Sequence, residues 1–480
     1  MQQDPEATPA PDPSAGDGPL GDSSIVPSNY LFPFVLVTSL FALWGFANNY
    51  TDPLVRAFKE VFLISNQQSS LVQFAFYGGY ATMAIPAALV IRKLSFKAGI
   101  IIGLALMALG AFITIPASVY VSFNLILVSL YILTFGLAFL ETSANPYILS
   151  MGPKETATQR LNLAQAFNPV GTLAGGLIAS LLILPSMDVA RFRTDEMKSR
   201  SDEFAEMLPA DADKAIGDAL VEFRETDPDG HRAMQEHDMQ VVRVPYVALA
   251  FAAIGVLVLF AVSKLPNTGH TDEPIHVAET LTNLASLRYI GGVLAQAVYV
   301  GSQIMCWTFT VHYGMTLLRM EASTAQNWNV AATLVFLVSR FLWTYVLRFV
   351  SPGMLLGCLS MAAIGLCLGT VFIEGIVGMI CLVGISACMG VMFPTIYGIA
   401  LDGLSVDDAK LGSAGLIFAI VGGALLPVAA GAVTDYESIT IAGMALEGVR
   451  VAYLLPVACF SFVALYGFAM AKTASGPEPA

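Results

Sequence analysis

Two carboxylic acids lie inside apolar stretches of the sequence, where an unpaired charge is costly. Asp52 belongs to WGFANNYTDPLV, residues 44–55, and Glu141 belongs to GLAFLETSANPY, residues 136–147. A carboxylate in hydrocarbon must be protonated, paired or turned towards water, so such an acid predicts a functional site, with a structural hydrogen bond as the alternative.

Both acids have polar neighbours at helical spacing. Trp44, Asn48 and Asp52 are each four residues apart, which places a ring, an amide and a carboxylate on one helix face. Asn145 follows Glu141 by the same step. Further polar and aromatic residues at spacings of three or four are Gln73, Tyr77, Gln165, Asn168, Gln303 and Trp307. We predict that these faces line one polar cavity.

The chemistry of this lining predicts a saccharide ligand. Amides and carboxylates offer directional hydrogen bonds to hydroxyl groups, and an indole or phenol ring covers the apolar face of a sugar ring. A strongly anionic ligand would require buried cations, yet Arg340 alone lies well inside a predicted span, and we interpret it as a structural pairing. The six cysteines lack metal-binding or disulfide spacing, and no nucleotide motif or catalytic constellation is found. The sequence therefore predicts no cofactor, no metal, no catalytic residue and no nucleic acid partner.

The elements that position these residues are predicted to be membrane helices. The 480 residues are 56% hydrophobic and 12% charged, with a mean hydropathy of +0.69. Apolar stretches long enough to cross a bilayer as a helix recur twelve times, at 31–51, 68–91, 98–118, 121–149, 160–184, 244–264, 289–316, 325–349, 354–372, 376–401, 411–433 and 449–471. We predict an all-α membrane protein of twelve transmembrane helices.

The spans divide into two pseudo-symmetric six-helix halves. ANPYILSM resembles MFPTIYGI, and RLNLAQAFNPVGTLAGG resembles KLGSAGLIFAIVGGALL, as expected of half-repeats. The predicted parts are a disordered acidic tail (1–30), an N-terminal half (31–264) with an acidic excursion (186–242), a linker (265–287), a C-terminal half (288–472) and a short tail (473–480). The net charge of the first tail is −5 and that of the excursion is −8, so the two segments together account for the net charge of −13 of the whole chain. We interpret both as solvated segments.

Basic residues in the short loops predict the orientation in a cell membrane. With a cytoplasmic N-terminus, ten basic residues face the cytoplasm: Arg92, Lys93, Lys97, Lys154, Arg160, Lys264, Arg288, Arg348, Lys410 and Lys472. Four face the outside: Arg56, Lys59, Arg319 and Arg450. The excess favours cytoplasmic N- and C-termini, with the linker and both tails cytoplasmic and the excursion outside.

Several long motifs resemble one known family. FALWGFANNYTDPLV, GLAFLETSANPY, RLNLAQAFNPVGTLAGG and GSAGLIFAIVGGALLPVAAG are similar to the fucose–proton symporter family of the major facilitator superfamily, over about residues 31–471. The resemblance implies a major facilitator fold and proton-coupled uptake of L-fucose or a related hexose such as glucose or galactose. It also implies proton coupling at Asp52 and Glu141, sugar binding at Glu141, and a cavity lined by Asn49, Gln165 and Asn168.

The sequence departs from the family pattern near the implied site. Fucose permeases of the family have Asn-Asn-Leu-Asn-Asp where this chain has NNYTD, and a tyrosine where this chain has Phe393. Phe393 is therefore a further candidate residue of the sugar site, and the identity of the sugar stays open.

Other interpretations remain at this point. Sodium is an alternative coupling ion, since Asp52 with Asn48, Asn49 and Thr51 offers hard oxygen ligands. A sugar sensor that does not transport is a second alternative, with 186–242 as its contact to a partner. Against the sensor, both halves keep glycines that suit closely packed helices that move. The implied architecture can transport as a monomer, so we expect a monomer.

Overall fold

The computed structural model describes residues 24–64, 66–207, 209–266, 277–320, 322–434, 436, 438–441 and 443–473, and at some of these positions the backbone alone. Residues 1–23 of the predicted acidic tail, most of the linker and the last seven residues lie outside the described residues. The side chains of Asp52 and Gln73 also lie outside them.

Helices make up almost the whole described chain. Those of the N-terminal half are α1 (Leu31–Phe62), α2 (Asn66–Lys93), α3 (Phe96–Val119), α4 (Phe123–Leu149), α5 (Ala157–Gln165), α6 (Asn168–Ile178), α7 (Asp188–Ser199), α8 (Ser201–Glu206), α9 (Pro209–Thr226) and α10 (Pro228–Val262). After the linker helix α11 (Val277–Leu284), the C-terminal half contains α12 (Leu287–Leu317), α13 (Ala322–Val346), α14 (Pro352–Phe372), α15 (Gly375–Met389), α16 (Met392–Leu401), α17 (Val406–Phe418), α18 (Gly422–Thr434), α19 (Gly448–Val451) and α20 (Leu454–Thr473). Strands β1 (Ile439–Ile441) and β2 (Met444–Leu446) form an antiparallel hairpin between α18 and α19.

In the described residues, twelve helical stretches are long and apolar enough to cross a membrane, which confirms the predicted number of spans. Four of these stretches contain two α-helices separated by a short break: Ala157–Ser186, Gly375–Leu401, Val406–Thr434 and Gly448–Lys472. Proline or glycine lies at three of the breaks, at Pro169, Gly390 and Gly422, because these residues interrupt or loosen the backbone ladder. Broken helices of this kind supply polar backbone to the sites of secondary transporters.

The two faces of the membrane body are defined by its loops. The loops 150–156, 347–351 and 402–405 lie on the same face as the linker, which we call the linker side. The β-hairpin and helices α7 to α9 lie on the opposite face, which we call the hairpin side.

The acidic excursion is helical and docked on the end of α1. Arg193 forms an ion pair of 2.9 Å with Glu60, and the Gln235 amide donates a hydrogen bond of 2.6 Å to the Val61 carbonyl. Helix α10 has 35 residues, so it extends about 50 Å, well beyond a hydrocarbon core of about 30 Å. The predicted end of the excursion at residue 242 therefore does not coincide with the end of a helix. Helix α10 crosses the membrane and continues without interruption into the excursion.

Corresponding helices pack in the same way in the two halves. Gly171 of α6 lies directly against the backbone of Ala42 in α1, and Gly422 of α18 lies directly against that of Ala297 in α12. A side chain at either glycine would collide with the facing carbonyl, so each half brings its first and fifth spans together through a glycine. The half-repeat is incomplete elsewhere, because α4 continues through Pro146 whereas its counterpart breaks between α15 and α16.

Candidate functional site

The buried acid of the N-terminal half is held by a tyrosine. The Tyr80 hydroxyl of α2 donates a hydrogen bond of 2.7 Å to Oε1 of Glu141 in α4. Only 6% of Glu141 and 1% of Tyr80 are exposed. The side chain of Asn48 in α1 lies next to this hydroxyl. Three helices therefore converge on one carboxyl group.

Tyr80 is a site residue that the spacing argument missed. It lies three residues after Tyr77 on the helix face assigned to the cavity. That spacing was a usable signal, but the partner of Tyr80 is on another helix and 61 positions away. Sequence periodicity describes one helix at a time, so it gave no indication of this pair.

A second polar pair lies one turn further along α4. The Gln165 amide donates a hydrogen bond of 2.9 Å to Oδ1 of Asn145, and both side chains are buried. The structure thus brings together Asn145 and Gln165, two residues that the sequence assigned to one cavity without pairing them. Gln165 is the last residue of α5, and its carbonyl, freed by the helix break, accepts a hydrogen bond from Arg340.

Arg340 connects the two halves. Its guanidinium group donates to the Gln165 carbonyl in the N-terminal half and to the Gly390 carbonyl in the C-terminal half. The group also lies 4.8 Å from the centre of the Phe336 ring. Its described partners are two backbone carbonyls and an aromatic face, which agrees with the interpretation of Arg340 as a structural pairing.

The halves meet in a seam that is closed on the linker side. Besides the Arg340 contact, three hydrogen bonds join them: Gln159 Nε2 to the Thr344 carbonyl at 3.0 Å, Asn162 Nδ2 to Thr395 Oγ1 at 3.1 Å, and Ser413 Oγ to the Thr142 carbonyl at 3.2 Å. Gln159 and Thr344 lie next to the linker-side loops 150–156 and 347–351, and the other two bonds lie deeper in the helices.

The C-terminal half contributes aromatic and neutral polar groups. The Trp307 indole packs edge-to-face on Phe336 at 5.0 Å and donates a hydrogen bond of 3.2 Å to Ser386 Oγ. Phe393 stacks on Tyr397 at 6.4 Å. Gln303, Trp307 and Phe393 are all half-buried, as expected of residues that line a cavity.

Tyr77 reaches the seam from the N-terminal half. Its ring lies 3.0 Å from the position that a Cβ on Gly423 of α18 would occupy. Tyr77 is half-buried. Its phenol ring therefore contacts the C-terminal half at a glycine and keeps part of its surface exposed at the seam.

Three other predicted residues take part in helix packing. The amides of Asn49 and Asn168 donate to the carbonyls of Thr172 and Phe41, at 2.9 and 3.2 Å, and both bonds tie α1 to α6. Their side-chain oxygens are the atoms left for a ligand. Trp44 is buried against Phe41, with 4.1 Å between ring centres. The predicted lining thus combines residues at the seam with residues that fix the helices behind it.

The first-helix acid cannot be placed with the others, because the side chain of Asp52 is outside the described residues, as is that of Gln73. The neighbouring Thr51 is buried, and its hydroxyl lies 2.8 Å from that of Tyr246 in α10.

Comparison with known proteins identifies relatives over nearly the whole chain. The sequence pattern of the Major Facilitator Superfamily matches residues 34–190. The L-fucose-proton symporter of Haemophilus influenzae is 43% identical over 449 residues, which is 93% of this chain and 98% of that protein. The glucose/galactose transporter of Brucella abortus is 30% identical over 95% of this chain and 98% of its own length.

A solved structure has the same fold. The crystal structure of the major facilitator transporter FucP in the outward conformation is similar with a TM-score of 0.75 and 32% sequence identity, covering 92% of this chain and 99% of that one. The relatives are transporters, which confirms the expectation of a membrane transporter rather than an enzyme. This chain is a multi-pass membrane protein that belongs to the fucose–proton symporter family of the major facilitator superfamily.

Proposed function

We propose that the chain is a secondary active transporter that takes up a monosaccharide together with a proton. The observation that carries the proposal is Glu141, a buried carboxyl group beside the seam with a hydroxyl donor at 2.7 Å. A carboxyl group in that position can bind sugar hydroxyls in one state of the cycle and release a proton in another.

The substrate is L-fucose or a related hexose such as glucose or galactose. Relatives are named for L-fucose and for glucose and galactose, and this chain is similar to both groups. The half-buried Trp307 and Phe393 offer flat apolar surface to a sugar ring, while Asn145 and Glu141 lie one helical turn apart. That combination of ring faces and directional acceptors suits a neutral polyol.

The side chains of α1 favour a proton over sodium. A sodium site would require the oxygen atoms of Asn48, Asn49 and Thr51 to converge with Asp52. Instead Asn48 approaches Tyr80 in α2, Asn49 bonds to α6 and Thr51 bonds to α10. These three described side chains diverge towards three different helices, so we assign coupling to protonation of Asp52 and Glu141.

Alternating access follows from the state of the seam. With the linker side closed, sugar and proton enter from the hairpin side. Neutralising a buried carboxylate lowers the cost of enclosing the site in a dry interior, so the loaded and protonated transporter can close around the sugar. The halves then rock, the linker-side hydrogen bonds open, and sugar and proton leave on that side.

We place both termini and the linker side in the cytoplasm. Of the basic residues counted for orientation, Arg160, Lys410 and Arg450 are buried and hydrogen-bonded or paired within the protein, which leaves eight on the linker side and three on the other. The excess still follows the positive-inside rule. Protease added to intact cells should cut the excursion 186–242, and cleavage only from the cytoplasmic face would invert the orientation.

Transport assays with purified protein in vesicles test the function. An imposed inward pH gradient should drive uptake of a labelled hexose, and unlabelled fucose, glucose and galactose should compete to different extents. A sodium gradient at equal pH should drive none. Sodium-driven uptake would overturn the assignment of the ion, and sugar binding without flux would identify a sensor instead. The same vesicles at low protein density should give full activity if the monomer is the transporting unit.

A further inference from the structure

Several fully buried polar atoms beside Glu141 lack hydrogen-bond partners. Nδ2 of Asn145, the hydroxyl of Tyr397 and Oγ1 of Thr142 are all buried, and no hydrogen bond reaches them from the described residues. Buried polar atoms are almost always satisfied by protein or by internal water, and leaving one unpaired costs about 1–3 kcal/mol. Three such atoms in one place require an explanation.

Two of these atoms, on Asn145 and Tyr397, are neighbours at the seam, and Thr142 lies three residues before Asn145 on the same helix. The Tyr397 hydroxyl of α16 lies next to the side chains of Asn145 and Ser413, and within electrostatic reach of Glu141. Ser413 Oγ in turn donates to the Thr142 carbonyl across the seam. Atoms of α4, α16 and α17 therefore meet on the linker side of the acid.

The donors and acceptors of this cluster match those of a water molecule. An internal water makes about three hydrogen bonds. An amide N–H can only donate, whereas the two hydroxyls can each donate or accept, so one water can accept from Asn145 and bond to both hydroxyls.

The polar groups continue from this cluster towards the linker side. Asn162 of α5 bonds to Thr395, two residues before Tyr397, while its Oδ1 has no hydrogen bond from the described residues. The Asn162 amide also donates to the Thr158 carbonyl, and Thr158 is half-buried at the start of α5. Polar groups of Asn162 and Thr158 therefore lie on α5 between the Asn145–Gln165 pair and the linker-side loop 150–156.

We propose that Asn145, Thr142 and Tyr397 bind internal water that carries the coupling proton from Glu141 to the linker side. This inference rests on the proposed function, because it concerns the release of the proton that Glu141 takes up. The O–H bond of the Glu141 carboxyl group breaks as a bond to the water oxygen forms, which leaves a carboxylate. An O–H bond of that water then breaks as its proton passes to the Tyr397 oxygen, and the original Tyr397 hydroxyl proton passes to a water molecule on the linker side, so the internal water and the phenol both end unchanged. The Asn145 amide orients the water and transfers no proton.

The inference separates two kinds of transport. Sugar counterflow exchanges labelled for unlabelled sugar by the loaded transporter, so it needs no proton release. Net uptake and sugar-driven proton flux both need Glu141 to lose its proton in every cycle. Removing a proton-relay group should therefore lower net uptake and sugar-driven proton flux and leave counterflow unchanged.

The decisive variant is Tyr397→Phe, which removes the hydroxyl and keeps the ring against Phe393. We expect counterflow within about twofold of wild type, and sugar-driven proton flux in vesicles loaded with a pH indicator lowered at least about tenfold. Thr142→Val removes the second hydroxyl at almost constant shape and should give the same split, to a smaller extent.

Tyr453→Phe is the matched control. Tyr453 is also fully buried and its hydroxyl also has no hydrogen bond from the described residues, but it lies between α19 and α20, near the hairpin side. It should leave counterflow and proton flux unchanged. Equal loss of both activities in Tyr397→Phe would indicate a structural role and overturn the relay, as would wild-type proton flux in both seam variants. Absence of any sugar-driven proton flux in the wild type would instead overturn the proposed function itself.

Discussion

The two halves face the same seam with different chemistry. The N-terminal half presents a buried carboxyl group with its tyrosine donor, Glu141 with Tyr80, and the amide pair of Asn145 and Gln165. The C-terminal half presents rings and neutral groups, with Trp307 held between Phe336 and Ser386. Its described carboxylates all lie in loops or at helix ends: Glu374, Asp402, Asp407, Asp408 and Glu447.

This asymmetry is built on a symmetric frame. Each half packs its first span against its fifth through a glycine, at Gly171 and at Gly422. The two halves therefore share the same packing of first span on fifth span. The buried carboxyl group among the described residues of the seam, Glu141, belongs to the N-terminal half. We propose that the N-terminal half handles the proton and that the C-terminal half mainly recognises the sugar ring.

The largest effect should come from Glu141. Glu141→Ala removes every acceptor of the carboxyl group and leaves the Tyr80 hydroxyl buried without it, so sugar binding and transport should both fall to background. Glu141→Gln keeps the shape but cannot release a proton, so binding and counterflow should survive better than accumulation. Sugar binding is measured at equilibrium with labelled sugar, and accumulation is measured as uptake under a pH gradient. Wild-type binding in the alanine variant would remove Glu141 from the site.

Asp52→Asn should separate coupling from binding within the same half. The amide imitates the protonated acid permanently, so counterflow should continue while gradient-driven accumulation is lost. Both are measured in one preparation of vesicles. If Asp52 is purely structural, the variant will keep full accumulation or lose all activities together, and either result would contradict the coupling role.

A change in the C-terminal half should alter affinity and leave coupling intact. Trp307→Ala removes ring surface worth about 1.4 kcal/mol or more, so KM for sugar should rise about tenfold while the ratio of protons to sugar stays constant. Trp343→Ala is the control, because its indole donates to the Ala387 carbonyl inside the C-terminal half. A changed ratio of protons to sugar in Trp307→Ala would contradict the proposed division of roles between the halves.

The smallest effect is expected for charges far from the seam. The Arg200 guanidinium donates hydrogen bonds to Glu203 on the excursion, which lowers the pKa of that carboxyl group below its ordinary value. A lowered pKa stabilises the folded excursion above the ordinary glutamate value of about 4.3, and this contribution is lost as the pH falls through the lowered pKa. Glu203→Gln should therefore slightly increase protease cleavage of 186–242 at neutral pH and not at strongly acidic pH. Transport kinetics should not change, and a change in them would assign the excursion a part in the cycle.

The sequence by itself determined the membrane architecture and the identity of the acids. A bilayer accepts only helices of about 20 apolar residues, so twelve spans could be counted, and acids inside them stood out because hydrocarbon excludes charge. Spacing along one helix also grouped Glu141 with Asn145 correctly, since residues four apart share a face.

Only the tertiary structure decided which groups meet across helices. The pairing of Tyr80 with Glu141, the two carbonyls that Arg340 joins and the unpaired hydroxyl of Tyr397 each depend on how separate helices rotate and break. Those rotations are set by packing at positions such as Gly171 and Gly422, where a missing side chain lets two backbones touch. A periodic pattern records which face of a helix is polar, but the neighbour that this face meets is chosen by the packing of the whole bundle.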